Sequence, residues 1–140
     1  MLKVLVAKID ESTIESLPPY REFKTLQGSG AVSNKILIEA DEFLVALEKL
    51  PPRKVLDWAY VLPEAHYILQ GKCELSYSSP PFEKWEIITC EKGDIVYLPT
   101  GTRVKHKVIS EEPFVLISFH FPAGSILNSI KLRRALSMTI

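Results

Sequence analysis

The sequence predicts an all-β domain that is followed by a short C-terminal α-helix. Ten prolines and six glycines interrupt the 140 residues, and six of the prolines stand in the adjacent pairs 18–19, 51–52 and 80–81. Interruptions this frequent between short apolar runs favour many short strands over long helices. The length suits one hydrophobic core, and 46% hydrophobic with 24% charged residues is an ordinary globular composition.

The N-terminal patterns are weaker than those after residue 40. We expect an edge strand over residues 2–9 and a short helix over residues 10–17, with Ser12 near its start. Residues 27–30 are predicted to form a loop. Residues 36–50 fit two states, because their helix formers favour a helix and their alternation favours a strand.

Alternation is clearest in the second half of the chain. In residues 103–108 cationic side chains alternate with mostly apolar ones, which is typical of a strand with one buried face. Residues 114–121 are apolar and rich in β-formers, so they predict another strand. Further strands are expected over residues 85–89 and 94–98, separated by a turn at residues 91–94.

The last predicted element is a helix over residues 123–140. Ser125 follows Gly124 as an N-cap residue. Apolar and basic side chains then share the helical turns, at Ile126, Leu127, Ile130, Lys131, Arg133, Arg134 and Leu136. Most helices of this kind dock on their own domain, while contact within a dimer or with an anionic surface is the alternative.

The two cysteines, Cys73 and Cys90, are too few for a disulfide scaffold and are not spaced like zinc ligands. If the chain between them is a hairpin that turns near Pro80 and Pro81, Cys73 faces Cys90 on the opposite strand. The pair is then either a disulfide or two small reduced apolar side chains.

The charge of the chain excludes several kinds of partner. Lys plus Arg and Asp plus Glu both number 17, so the formal net charge is zero. A neutral chain lacks the positive surface that nucleic acids and anionic lipids attract. No apolar run is long enough to span a bilayer, and the first residues lack the pattern of a secretory signal. We therefore expect a cytoplasmic protein without a nucleic-acid or membrane partner.

Two motifs resemble those of the cupin superfamily of small jelly-roll barrels. Residues 93–101 fit the second cupin motif, G-x5-P-x-G, and Glu64 with Gly71 fits the end of the first, E-x6-G. The residues between the motifs are enough for a hairpin with its loop. The resemblance covers residues 42–122 and implies a double-stranded β-helix, the jelly-roll barrel. It also implies that residues 43–50 form a strand that leads into a proline bend.

The expected domain organisation follows from this resemblance. Residues 1–35 are an N-terminal extension with an edge strand, a short helix or a loop. Residues 36–122 form the cupin barrel, and residues 123–140 form the C-terminal amphipathic helix.

The resemblance also implies that the standard cupin metal centre is absent. Counted from Glu64, the His-x-His pair of metal-binding cupins would fall on Trp58 and Tyr60, and their last histidine on Val104. An indole or a valine cannot bind a metal, and a tyrosine does so only as the phenolate. Of the four usual ligands only Glu64 remains.

All three histidines nevertheless lie in the region that resembles the barrel. His66 shares a strand face with Glu64, and His106 shares one with Val104. A displaced site of Glu64, His66, His106 and His120 would suit one divalent ion such as zinc, iron, manganese or nickel. The alternative, which we favour, is that no metal binds and that the histidines are core or surface residues.

Facing inward, Trp58 and Tyr60 either line an apolar cleft or fill the space of the lost metal. We expect a barrel that binds a small molecule through Trp58, Tyr60, Glu64, His66 and His106. One alternative is an enzyme, either a metal-dependent dioxygenase or isomerase or a metal-free acid–base isomerase. Another is a non-catalytic structural module. As in many cupins a homodimer is expected, but the fold alone does not select among these functions.

Overall fold

The structure, a computed structural model, describes residues 3–121. This part of the chain contains one short helix and ten strands, so the predicted all-β class is confirmed. The elements are α1 (Glu11–Glu15), β1 (Arg21–Lys24), β2 (Gly28–Glu39), β3 (Leu44–Leu50), β4 (Val55–Ala59), β5 (Glu64–Gln70), β6 (Lys72–Ser78), β7 (Glu86–Glu91), β8 (Ile95–Leu98), β9 (Arg103–Val108) and β10 (Phe114–His120). The helix predicted over residues 123–140 lies outside the described residues.

The strands pair in the order β7-β6-β9-β4-β2-β3-β10-β5-β8, and β1 pairs with β2. Every pair is antiparallel. The long strand β2 joins two sheets, because its first residues pair with β4 and its later residues pair with β3. The first sheet contains β1, β4, β6, β7 and β9, and the second contains β3, β5, β8 and β10. Their non-sequential order is that of a jelly roll.

Gly28 allows β2 to enter the first sheet. A Cβ at this position would lie 2.0 Å from the backbone oxygen of Asp57 on β4. Only a glycine tolerates such a close approach of two backbones. The loop predicted over residues 27–30 is therefore wrong, since residues 28–30 begin β2. The expected boundary at residue 36 falls inside the same strand.

The N-terminal residues cover the outer face of the second sheet. Ile14 and Leu17 pack against a cluster formed by Val45, Leu47, Val115 and Ile117. α1 begins after Asp10, whose side chain accepts a hydrogen bond of 2.9 Å from the backbone N–H of Thr13. This confirms the short helix predicted over residues 10–17.

The expected edge strand at the N-terminus is wrong for the described residues 3–9, which pair with no strand. Val4 and Val6 alternate in the sequence as strand residues do, but both side chains are exposed. An alternating pattern forms a strand only where one face is buried, and here neither face is.

The strands predicted in the second half are confirmed. β7, β8, β9 and β10 match the four predicted segments to within two residues. β3 (Leu44–Leu50) lies within residues 43–50, as the cupin resemblance implied. Cys73 on β6 pairs directly with Cys90 on β7, as the predicted hairpin requires. Both cysteines are buried free thiols.

The main core lies between the two sheets. Its buried side chains are Leu50, Tyr60, Ile68, Cys73, Leu75, Cys90, Leu98, Val104, Val108, Phe114 and Leu116. Within residues 3–121 no helix is long and apolar enough to cross a membrane.

Candidate ligand cavity in the barrel

A cavity of about 250 Å³ opens between the two sheets. Its lining residues are Arg21, Phe23, Thr25, Val32, Asn34, Glu48, Leu56, Trp58, Tyr60, Glu64 and His120. The strands divide this lining by chemistry. β1 and β4 of the first sheet contribute mainly apolar side chains, whereas β2, β3, β5 and β10 place polar side chains opposite them.

Trp58 forms the centre of the apolar wall. Its ring contacts the Phe23 ring edge-on, with centroids 5.7 Å apart and planes at 82°. Strand alternation turns Leu56 and Trp58 into the cavity and Asp57 to the other face of β4. There Asp57 accepts two hydrogen bonds of 3.1 Å from the Arg103 guanidinium, which fixes β4 to β9.

Tyr60 follows β4 and is held by His106. The Nδ1 atom of His106 lies 2.9 Å from the carbonyl oxygen of Leu56, and its Nε2 atom lies 2.9 Å from the Tyr60 hydroxyl. Because a carbonyl can only accept, Nδ1 carries the proton and Nε2 accepts from Tyr60. Burial lowers the pKa of His106 to about 4. His106 is thus a neutral support for Tyr60.

The polar wall is centred on Glu64. His66 Nε2 lies 3.1 Å from Glu64 Oε1, and His120 Nε2 lies 3.7 Å from the same oxygen. His120 Nε2 also lies 2.8 Å from the Ser118 hydroxyl. The register explains this cluster, since Glu64 pairs with His120 and His66 pairs with Ser118 across β5 and β10. All four residues are buried.

Glu48 on β3 completes the polar wall, and it is not among the site residues predicted from the sequence. Burial and the neighbouring Glu64 carboxylate raise the pKa of Glu48 to about 7, although His66 and a hydrogen bond with Ser118 act in the opposite direction. The signal in the sequence was one acidic residue between Ala46 and Leu50, which are apolar residues on the same strand face.

The predicted site residues therefore meet in two groups. Glu64, His66 and His120 form the polar cluster, and His106 is bound to Tyr60 and Leu56 instead. Of the predicted ligand-binding residues, Trp58, Tyr60 and Glu64 line the cavity, while His66 and His106 stand behind it. Among the described side chains, no three His, Cys, Asp or Glu residues are grouped in a way that could hold a metal ion.

Several solved structures are similar to this fold. The cupin domain of Cnp3 from Schizosaccharomyces pombe matches with a TM-score of 0.56 and 17% identity, over 71% of this chain and 70% of that one. The EutQ protein of Clostridium difficile matches with a TM-score of 0.52 and 17% identity, over 66% of this chain and 63% of that one. An oxalate decarboxylase from Lactobacillus farciminis matches with a TM-score of 0.58 and 16% identity. This match covers 79% of this chain and 32% of the decarboxylase.

This chain thus spans less than two thirds of the EutQ protein and about a third of the decarboxylase. No family model and no curated protein sequence matches it. At these identities the likeness concerns the fold, and it agrees with the motifs at residues 64–71 and 93–101. The chain therefore has the cupin fold, a double-stranded β-helix barrel.

Proposed function

We propose that the protein binds a small molecule inside the barrel, in the cavity beside Trp58 and Tyr60. The observation that carries the proposal is the remaining space. Two large rings stand where metal-binding cupins have histidines, and rings of this size could have filled the barrel. About 250 Å³ stays open next to them.

The lining has the chemistry of a ligand site. Small-molecule pockets combine apolar and aromatic walls with a few polar groups in fixed positions. Here Trp58 and Phe23 supply the apolar wall, and Glu64 and Tyr60 supply polar atoms whose neighbours hold them in place. No buried side-chain nitrogen or oxygen in residues 3–121 lacks a hydrogen-bond partner. A site that is ordered before binding loses less entropy when the ligand binds.

The volume limits the size of the ligand. Pockets for drug-sized molecules occupy roughly 300–1,000 Å³. This cavity is slightly smaller. We therefore expect a ligand with one ring, or of similar size, that carries at least one polar group.

Tryptophan fluorescence can test the proposal directly. The chain has two tryptophans, and Trp85 lies outside the cavity with its ring 4.8 Å from Lys105 Nζ. In a Trp85→Phe variant the emission therefore reports on Trp58 alone. A library of single-ring fragments is screened for a shift of this emission together with a rise in Tm. A fragment present at about 100 times its Kd should stabilise the protein by about 2.7 kcal/mol.

Two further variants locate the binding. Val32→Phe, added to Trp85→Phe, places a ring in the cavity and should abolish both effects, with circular dichroism confirming that the variant folds. Ile109→Ala, at an exposed position directly after β9, should leave them unchanged. The proposal is wrong if no fragment alters Trp58 emission, or if Val32→Phe binds the same fragments with unchanged affinity.

We also propose that the protein forms a homodimer through the edge strands β7 and β8. These strands stand at the two ends of the strand order. They expose apolar side chains, with Ile87, Ile88, Ile95 and Tyr97 each more than half exposed. A groove of about 640 Å³ runs between the two strands. Exposed apolar edges of this kind are sites of strand pairing and association.

Light scattering coupled to size exclusion tests the dimer. The wild-type chain should have twice the mass of one chain, and Ile95→Lys should shift it towards the monomer. Leu26→Lys, at an exposed turn between β1 and β2, is the control and should remain dimeric. A wild-type protein that is monomeric at every concentration would contradict the proposal.

A further inference from the structure

The polar wall of the cavity is acidic. Glu48 and Glu64 both line it, and they are close enough for the charge of Glu64 to act on Glu48. Arg21, the cationic residue among the described lining side chains, is exposed at the surface. Burial lowers the pKa of His120 and so favours its neutral form. Glu64 is paired with His66, and ionisation of Glu48 adds a negative charge that faces a bound molecule.

The two carboxylates differ in their neighbours. Glu64 lies within 3.1 Å of His66 Nε2 and within 3.7 Å of His120 Nε2. Glu48 forms a hydrogen bond with the Ser118 hydroxyl. No lysine or arginine in residues 3–121 forms an ion pair with Glu48. A partly buried carboxylate beside a second carboxylate is costly when it is charged, and a positively charged ligand group would reduce that cost.

The opposite wall of the cavity also favours a positively charged ligand. Trp58 and Phe23 present aromatic rings to the cavity. The negative faces of aromatic rings attract cations and repel anions, with tryptophan as the strongest ring. Both walls thus select for positive charge, one by its carboxylates and the other by its rings.

We infer that the ligand of this cavity is a small organic cation, an amine or amidine nitrogen attached to a flat apolar group. The nitrogen lies against Glu48 and Glu64, and the apolar group lies against Trp58 and Phe23. This inference rests on the proposed binding function and adds the chemical class of the ligand.

Three molecules of nearly equal shape and different charge test the inference: benzamidine, benzamide and benzoate. Their affinities for the Trp85→Phe protein are measured by titration of Trp58 emission at about pH 8, above the pKa of Glu48, which is about 7. We expect benzamidine to bind at least about tenfold more tightly than benzamide, which corresponds to about 1.4 kcal/mol. Benzoate should bind more weakly than either of them.

Substitution of Glu48 identifies the group responsible. Glu48→Gln should weaken benzamidine binding by at least about tenfold and change benzamide binding by less than about twofold. Glu91→Gln removes the same charge from an exposed position on β7, and it should leave all three affinities unchanged. Circular dichroism and Tm establish that both variants fold.

The possible outcomes separate this inference from the function on which it rests. If benzamide or benzoate binds as tightly as benzamidine, or if Glu48→Gln leaves the benzamidine preference intact, the cation inference is wrong and the cavity still binds small molecules. If none of the three molecules alters Trp58 emission, the cation inference is also wrong. The fragment screen with Val32→Phe then decides separately whether the cavity binds anything.

Discussion

Tyr60 and His106, which are 46 positions apart in the sequence, meet inside the barrel through a hydrogen bond of 2.9 Å. The second ring nitrogen of His106 bonds to the backbone of β4, the strand that leads to Tyr60. The histidine therefore fixes both the strand and the tyrosine that follows it. Three predictions concern the cavity that these residues help to form, and one concerns the paired cysteines.

Loss of the Tyr60 hydroxyl should destabilise the protein. In Tyr60→Phe the Nε2 atom of His106 loses its donor while it remains buried. A buried polar atom without a partner costs about 1–3 kcal/mol. Urea unfolding of the variant and the wild type measures this difference. Tyr67→Phe, at an exposed position on β5, is the matched control and should change the free energy of unfolding by less than about 0.5 kcal/mol. Equal effects of the two substitutions would contradict the prediction.

Acid should destabilise the protein through His106. Its pKa is about 4 in the folded state, because burial penalises the charged ring, against an ordinary value of 6.5. The unfolded chain therefore binds the proton first, and the contribution of His106 to the free energy of unfolding falls as the pH drops through 6.5 towards 4. Between about pH 8 and pH 5 the loss amounts to about 2 kcal/mol.

The measurement compares urea unfolding of the wild type and His106→Asn at several pH values. The variant is expected to be less stable at neutral pH. Its stability should fall less steeply than that of the wild type between about pH 6.5 and pH 4. Parallel curves for the two proteins would show that His106 does not cause the acid sensitivity.

Glu48 should act in the opposite direction. Burial and Glu64 raise its pKa to about 7 in the folded state, so the folded protein holds the proton more tightly than the unfolded chain. The contribution of Glu48 to stability is therefore present below its ordinary pKa and is lost as the pH rises to about 7. Glu48→Gln removes this loss. Between about pH 5 and pH 8 the free energy of unfolding of the variant should therefore rise by on the order of 2 kcal/mol relative to that of the wild type. Glu91→Gln should show no such gain in the same unfolding experiment.

The paired cysteines should be unreactive in the folded protein. Burial raises the pKa of Cys90 to about 11 and raises that of Cys73 further. The thiolate is the reactive form, so both side chains should react with a disulfide reagent far more slowly than in urea. Lys107→Cys supplies an exposed thiol on β9 as an internal control, and it should react at once. Equal rates for the native and the control thiols would disprove the protection.

Much of the barrel could be predicted because its signals are local. The glycines and the proline of residues 93–101 fix a turn and a strand end within nine residues. The alternation in residues 103–108 marks the buried face of β9, where Val104, His106 and Val108 are all buried. The predicted pairing of Cys73 with Cys90 also depended only on one hairpin.

Other features depended on contacts between distant residues, so the sequence could not reveal them. Gly28 looked like a loop residue, but its role is the close approach of β2 to Asp57 on β4. Glu48 could not be recognised as a cavity residue, because Val45 and Leu47 give its strand a second apolar face. The N-terminal residues cover that face, and the opposite face of β3 looks into the barrel. The sequence predicts His106 as a ligand-binding residue. In the structure His106 lies outside the cavity lining and accepts a hydrogen bond from Tyr60.

The position of β1 has a consequence for the exchange of ligand with solvent. Among the described strands β1 pairs with β2 alone, over four residues, and it carries Phe23 and Arg21 to the cavity. Detachment of this short ribbon would break no other ladder of the barrel. Local opening of this ribbon should cost much less free energy than global unfolding, and it would give the proposed ligand a route into and out of the cavity.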